Sequence, residues 1–289
     1  MPRHFLTGQE LNRDALAALL DRADALKAAP RSSQALAECV VALLFEKPST
    51  RTRLSYEAGI VELGGHPLLL RSGETQLSRG ESVKDTARIL SSHVQAVGVR
   101  TGPDALIEEL AAEGTIPVFN MLTDGHHPSQ ALADLQTLRE EFGRLEGLKV
   151  AYVGDGNNVA RSLAIVGGIA GVDVAVASPP GYELEPEAGG TRTHDPREAV
   201  AGAHAVYADV WFSMGEDDEE AKRAALEPYR IDDALLDAAA PGAIALHCLP
   251  AHPGEEITAE VLYGDRQRIW QQAENRRHAQ KALLEHLLA

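Results

Sequence analysis

Short apolar runs alternate with amphipathic stretches along almost the whole 289-residue chain. Strand–helix alternation of this kind predicts parallel sheets covered by helices. The runs are rich in Val, Ala and Leu rather than strictly alternating with polar residues, which suits strands that are buried on both faces. The predicted strands lie at residues 41–45, 67–70, 96–99, 116–119, 150–154, 172–177, 205–210, 243–248 and 268–271.

Two such sheets fit the chain better than one. A long helical pattern at residues 129–142 ends in GRLEGLK, a turn-rich break that precedes a fresh strand. A chain of this length is also near the size at which single cores divide. We therefore expect two α/β domains, residues 1–143 and 144–272, with terminal helices at 8–28 and 273–289.

Composition narrows the class of protein. The formal net charge of −16 argues against broad nucleic-acid binding, which needs basic surface. No apolar stretch is long enough to span a bilayer, and the start, MPRHFLTGQELNRD, lacks the apolar core of a signal peptide. Cys39 and Cys248 form no CxxC-type pair. We expect a cytoplasmic protein without a metal or cofactor.

The stretch FEKPSTRTR, residues 45–53, runs from a strand end into a helix. A helix start offers unpaired N–H groups and a partial positive charge, and Ser49, Thr50 and Thr52 are natural capping residues. Arg51 adds a guanidinium that grips phosphate through two hydrogen bonds. The alternative is an ordinary cap followed by surface arginines. The four groups in a row favour a phosphate site.

Three further donors follow neighbouring strands of the first half. Arg100 follows the strand at 96–99, and His127 and Gln130 follow the strand at 116–119. Each alone is typical of a surface or loop residue. Because the carboxyl ends of parallel strands share one edge of a sheet, the three together predict an oxygen-binding site.

Eight short motifs are specific enough to indicate a protein family. In order along the chain they are FEKPSTRTR, LGGHP, DTARILSS, HHPSQALADLQTL, GDGNN, DVWFSMGE, HCLPAHPGEEIT and AENRRH. The sequence resembles the aspartate/ornithine carbamoyltransferase family over nearly its whole length, and HCLP and SMG point to the ornithine branch. The resemblance implies two parallel α/β domains joined by two helices, with the C-terminal helix 273–289 packing back on the first domain.

The resemblance also implies an activity and a set of site residues. The activity is transfer of the carbamoyl group of carbamoyl phosphate to the δ-amine of L-ornithine, giving L-citrulline and phosphate, in arginine biosynthesis and in a homotrimer. The phosphate would be held by Ser49, Thr50, Arg51 and Thr52, and by Gln76 of a neighbouring subunit. The carbamoyl group would contact Arg100, His127 and Gln130, with Cys248, Leu249 and Arg276 completing the pocket from the second domain. The amino acid would contact Asn158, Asp209, Ser213 and Met214.

The chemistry needs few protein groups, because carbamoyl phosphate is reactive. Arg100, His127 and Arg276 are expected to stabilise charge on the carbonyl oxygen, each donor contributing about 3 kcal/mol. The leaving phosphate is a plausible acceptor for the amine proton. We expect Asp209 and Cys248 to orient the amine. Cys248 is not expected to be a nucleophile, because His247 precedes it on a strand and faces the opposite side.

Three other interpretations fit parts of the sequence. VGDGNNVA, residues 153–160, resembles a dinucleotide-binding fingerprint, but Val159 stands at its third glycine position and the next strand ends at Ser178 without an acidic residue. An inactive relative is a second alternative, and an aspartate carbamoyltransferase a third, although the latter needs cations for a second carboxylate. Three departures from the family pattern are Arg161, HPGEE in place of HRGEE, and a short segment at 179–203.

Overall fold

The computed structural model describes residues 2–212 and 219–289. The chain divides into two compact units, Met1–Ala133 with Glu274–Ala289, and Asp134–Ala273. The first unit holds a four-stranded parallel sheet, ordered β2-β1-β3-β4. Its elements are α1 (Arg13–Ala28), β1 (Val40–Phe45), α2 (Thr50–Glu62), β2 (His66–Arg71), α3 (Val83–His93), β3 (Ala96–Arg100), α4 (Asp104–Glu113) and β4 (Val118–Leu122).

The core of the first unit lies between its central strands and two helices. Ala42 and Leu44 of β1 and Val99 of β3 pack against Leu90 of α3 and Leu110 of α4. Burial of both faces of these strands explains their continuous apolar sequence. Polar residues therefore concentrate in the turns that follow the strands.

The second unit holds a five-stranded parallel sheet, ordered β7-β6-β5-β8-β9. Small residues on β5, β6 and β8, among them Ala151, Ala175 and Ala208, allow helices to pack closely on it. Its elements are β5 (Lys149–Val153), α6 (Asn158–Ile169), β6 (Asp173–Ala177), β7 (Thr191–Thr193), α7 (Pro196–Val200), β8 (Ala205–Ala208), α8 (Glu219–Leu226), α9 (Asp233–Asp237), β9 (Ile244–His247) and α10 (Ala259–Tyr263).

Two long helices contain the points at which the chain passes between the units. They are α5 (Pro128–Phe142) and α11 (Ile269–Leu288). The division falls between Ala133 and Asp134 and between Ala273 and Glu274. The sequence had suggested residues 143 and 144 for the first of these points. In the first unit, α11 is held by Lys281, whose Nζ donates to Glu62 Oε2 over 2.6 Å.

The prediction of two parallel-sheet α/β units is confirmed, with local corrections. The strand expected at 268–271 is wrong, because α11 begins at Ile269 and only an isolated bridge pairs Gln267 with Ala245. The strand β7 was not predicted. The first helix begins at Arg13 rather than at Gly8. Among the described residues, no helix combines the length and the apolar character needed to cross a membrane.

Candidate active site

The first group of site residues lies at the N-terminus of α2, just after β1. Ser49 has an extended backbone, with φ −160° and ψ 117°, and its hydroxyl accepts the N–H of Thr52 over 3.3 Å. Ser49 is thus the N-cap, and the first turn of the helix contains no acidic residue. The helix start therefore keeps its partial positive charge and suits an anion. Arg51 lies within this turn and is half-buried.

Thr52 joins the helix start to two arginines. Its side chain is buried, and Oγ1 accepts from Arg276 Nη2 over 2.7 Å and from Arg100 Nη1 over 3.5 Å. Arg276 lies in the first unit, so the expectation that it reaches the pocket from the second domain is wrong. The reason is that α11 enters the first unit at Glu274, before Arg276. Two guanidinium groups beside a helix N-terminus form a strongly cationic corner.

Gln130 and His127 complete this corner. Arg276 Nη1 donates to Gln130 Oε1 over 3.0 Å, and the backbone N–H of Gln130 donates to the carbonyl of His127 over 3.0 Å. His127 is buried, and burial, followed by the charges of Arg276 and Arg100, holds the pKa of its imidazole well below the usual value of 6.5. His127 is therefore neutral at physiological pH and has a single ring N–H to donate.

A buried chain of hydroxyl groups fixes the segment that carries His127 and Gln130. Tyr56 of α2 and Ser129 share a hydrogen bond of 2.8 Å, and Ser129 donates to the carbonyl of Asn120 over 2.7 Å. Burial raises the pKa of Tyr56, so its hydroxyl stays protonated. This chain was not foreseen from the sequence, because Tyr56 lies outside the family motifs and Ser129, although within HHPSQALADLQTL, had no assigned role. Gln76, by contrast, is exposed on the first unit.

The second group of site residues lies at the carboxyl ends of β8 and β9. Asp209 is buried, and its Oδ1 accepts from Cys248 Sγ and from the N–H of Val210, each over 2.8 Å. The structure thus brings together two residues that the sequence placed at separate strand ends. A thiol that donates to a carboxylate is protonated, which fits an orienting group and not a nucleophile.

Asn157 is a site residue that sequence reasoning missed. Its Nδ2 donates to Asp209 Oδ2 over 2.8 Å, while its Oδ1 accepts the N–H groups of Val159 and Ala160 at the start of α6. Asn157 therefore caps the helix and orients the carboxylate at once. Its neighbour Asn158 is the first residue of α6 and is half-buried. Ser213 and Met214 lie outside the described residues.

An aromatic pair lies beneath Asp209. The rings of Tyr152 and Tyr207 stack with centroids 5.4 Å apart, and Tyr152 donates to Asn157 Oδ1 over 3.0 Å. Burial and then the negative charge of Asp209 raise the pKa of Tyr152 well above 10.0. The phenols stay neutral, so Asp209 supplies the negative charge at this position.

A buried ion pair lies at the end of β5. Lys222 of α8 donates to Asp155 over 2.7 Å, and both side chains are largely buried. Lys222 lies outside every motif of the sequence analysis, so this contact was not predicted.

Among the described residues, Asp209, His247 and Cys248 each place one potential metal-ligand atom within 4.8 Å of the others. Both ring nitrogens of His247 already have hydrogen-bond partners, Leu249 and Glu256.

The glycine-rich turn after β5 is covered by the chain itself. A Cβ at Gly156 would lie 2.2 Å from the backbone nitrogen of Leu184, and Gly156 N–H donates to the carbonyl of Tyr182 over 2.8 Å. The space over this turn is therefore filled, which argues against a dinucleotide there.

Two of the departures from the family pattern are also described. Arg161 forms a hydrogen-bonded ion pair with Glu185. The connection from β6 to β7 contains a single short 3-10 helix, Pro186–Ala188.

Family models assign the two halves of the chain to one class of protein. Residues 3–140 match the carbamoyl-P binding domain of aspartate/ornithine carbamoyltransferase, and residues 146–287 match its Asp/Orn binding domain. The first range contains Thr52, Arg100, His127 and Gln130 of the cationic corner, and the second contains Arg276 and the Asp209–Cys248 pair.

Curated relatives and solved structures agree. The ornithine carbamoyltransferase of Parafrankia is 52% identical over 99% of this chain and 96% of its own, and that of Acidothermus cellulolyticus is 50% identical over 100% and 97%. The crystal structure of ornithine carbamoyltransferase from Thermus thermophilus superposes with a TM-score of 0.94, at 44% identity and with both chains covered fully. This chain belongs to the aspartate/ornithine carbamoyltransferase family.

Proposed function

We propose that this chain transfers the carbamoyl group of carbamoyl phosphate to the δ-amine of L-ornithine, giving L-citrulline and phosphate. One observation carries the proposal: Thr52, at the start of α2, is hydrogen-bonded to both Arg100 and Arg276. That corner suits a dianionic phosphate joined to a carbonyl. The relatives named ornithine carbamoyltransferase support the choice of ornithine.

In the first unit, the phosphate lies against the N-terminus of α2. It accepts from the backbone N–H groups and hydroxyls of residues 49–52 and from the guanidinium of Arg51. The carbonyl oxygen of the carbamoyl group accepts from Arg100, Arg276 and the neutral imidazole of His127. Negative charge grows on this oxygen during attack, so each donor is worth about 3 kcal/mol in the transition state.

In the second unit, Asp209 binds the α-ammonium group of ornithine, and Asn158 binds its carboxylate. Asn157 and Cys248 hold Asp209 in one orientation through bonds of 2.8 Å each. We assign the remaining ornithine contacts to Ser213 and Met214, and Leu249 to the carbamoyl group. The δ-amine attacks in its neutral form, and the departing phosphate accepts the proton. No cofactor takes part in this scheme.

A citrulline assay tests the acceptor. Carbamoyl phosphate is supplied with ornithine, putrescine or aspartate, and carbamoylated product and phosphate are both measured. We expect product with ornithine and at least about a hundredfold less with the other two. Putrescine lacks the carboxylate that Asn158 binds, and the single amine of aspartate would have to attack, which leaves no ammonium group for Asp209. Product with aspartate or putrescine but not with ornithine would reject the proposal.

The proposed assembly is a homotrimer in which Gln76 completes the phosphate site of a neighbouring subunit. The exposed position of Gln76 supports this. Mixing Gln76→Ala and Arg51→Leu variants tests it, since a shared site regains activity when one interface carries both intact residues. If the mixture stays as inactive as its parents after subunit exchange, sharing is rejected. We also propose a cytoplasmic location, because Cys39 and Cys248 are both free thiols and reducing compartments preserve these.

A further inference from the structure

His247 ends β9 with an imidazole that has no solvent exposure. The backbone N–H of Leu249 donates to its Nδ1 over 2.8 Å, and its Nε2 lies 3.1 Å from Oε1 of Glu256. Because Nδ1 accepts a hydrogen bond, the ring proton resides on Nε2 and is donated to the carboxylate. These contacts select one tautomer of His247.

Glu256 is held as firmly as the ring it contacts. Its side chain is fully buried, and Oε1 also accepts the backbone N–H of His252 over 2.5 Å. Its own carbonyl accepts the N–H of Ile231 over 2.9 Å. A buried carboxylate is costly unless hydrogen bonds compensate for lost water, so removing these donors would be unfavourable. Glu256 therefore ties the end of β9 to the segment that follows it.

The backbone of Leu249 is the feature that the contact between Glu256 and His247 stabilises. Its φ is 63°, in the left-handed region that non-glycine residues rarely adopt. Such a backbone conformation persists only when surrounding contacts stabilise it, and the hydrogen bond from the N–H of Leu249 to His247 Nδ1 is one such contact. The preceding residue is Cys248, whose thiol donates to Asp209. The turn at residues 248–249 thus depends on the orientation of His247, which Glu256 fixes.

We propose that Glu256 is a positioning residue which, through His247, sets the Cys248–Leu249 turn for carbamoyl transfer. The inference rests on the proposed function for its catalytic consequence. Glu256 itself does not contact substrate in this scheme. It acts on the turnover step, while phosphate is bound by residues 49–52 of the other unit.

Two variants and a neighbouring control test the proposal. We expect Glu256→Ala to lower kcat about a hundredfold, the cost of displacing a reacting group by about 1 Å. Glu256→Gln keeps an oxygen that accepts both N–H groups, and we expect it to restore kcat to within about tenfold of wild type. The control is Glu255→Ala, which removes the surface pair with Arg223 and leaves kcat unchanged. The Kd of inorganic phosphate stays the same in all three.

A spectroscopic measurement reports the tautomer of His247 directly. In protein labelled with ¹⁵N-histidine, the wild-type resonances of His247 should show a proton on Nε2 alone, and Glu256→Ala should give a mixture of tautomers. A wild-type ring protonated on Nδ1, or a folded Glu256→Ala enzyme with unchanged kcat, overturns the proposal. If the wild type makes no citrulline, the proposed function fails, whereas the tautomer still decides whether Glu256 orients His247.

Discussion

The thiol of Cys248 donates a hydrogen bond to Oδ1 of Asp209 over 2.8 Å, although 39 positions separate the two residues. They meet because β8 and β9 are parallel neighbours, and parallel neighbours end at the same edge of a sheet. The other oxygen of the carboxylate is occupied by Asn157. Hydrogen bonds to both carboxylate oxygens therefore fix the orientation of Asp209.

Replacing Asp209 by asparagine should weaken ornithine binding selectively. The amide keeps the shape of the side chain but loses the charge that pairs with the α-ammonium group. A hydrogen bond between charged groups is worth about 1.5–3 kcal/mol, so the KM for ornithine should rise about 10- to 100-fold. Steady-state kinetics measure this change. Asp173→Asn, at the exposed start of β6, is the matched control and should behave as wild type. An unchanged KM in Asp209→Asn would contradict the assignment.

Replacing Arg51 by leucine should remove phosphate affinity. Loss of one charge-assisted contact predicts a Kd for inorganic phosphate at least about tenfold higher, measured by isothermal titration calorimetry. Arg53→Leu is the control in the same helix, because Arg53 pairs with Glu57 on α2 over 2.9 Å. A surface pair of this kind is worth only about 0.5 kcal/mol. Equal effects of the two substitutions would show that Arg51 has no special role.

The burial of His127 predicts a pH dependence of stability. The pKa of His127 is well below 6.5 in the folded chain, whereas in the unfolded chain it is about 6.5. Below pH 6.5 the unfolded chain binds a proton that the folded chain does not. The free energy of unfolding should therefore decrease as the pH is lowered below 6.5, by up to about 1.4 kcal/mol per pH unit from this group.

His127→Gln isolates that contribution. Burial also lowers the pKa of His278, to about 4, so the wild type carries more than one contribution of the same sign. Urea unfolding of both proteins between pH 5 and pH 7 should give a shallower decline for the variant. Parallel curves for the two proteins would mean that His127 is protonated equally in both states.

The buried pair of Lys281 and Glu62 predicts an asymmetry between single and double variants. Lys281 Nζ donates to Glu62 over 2.6 Å, and the lysine side chain is fully buried. Glu62→Gln leaves a buried cation without its charge partner and should cost about 3 kcal/mol. Adding Lys281→Met removes that cation, so the double variant should be the more stable of the two in urea unfolding. The opposite order would show that Lys281 stabilises the fold without Glu62, through its hydrogen bonds to the carbonyls of Leu26 and Pro30.

The rule that ligands bind at the carboxyl ends of parallel strands explains most of what could be predicted. It made Arg100 a site candidate from the apolar runs alone, whereas Asp209 and Cys248 were assigned through the resemblance to the carbamoyltransferase family. The sequence could not show that Asn157 contacts Asp209, because that contact depends on how α6 is capped. Lys222 was missed for a related reason, since its partner Asp155 follows a different strand.

The errors in the fold have physical causes too. Residues 268–271, RIWQ, have strand-like composition, but the helix α11 overrides this preference from Ile269 onward. The strand β7 reads Thr-Arg-Thr, and it was missed because an edge strand is short and partly exposed. Tertiary contacts, not local preference, decide both segments.

The hydroxyl of Thr52 has a consequence for which anions can enter the site. Its oxygen accepts hydrogen bonds from Arg276 over 2.7 Å and from Arg100 over 3.5 Å. The hydroxyl can therefore interact with a ligand mainly as a hydrogen-bond donor. A guest that carries a proton of its own would find no acceptor at this atom. At this one atom, an ionised oxygen of the ligand meets a hydrogen-bond donor, whereas a protonated oxygen meets no acceptor.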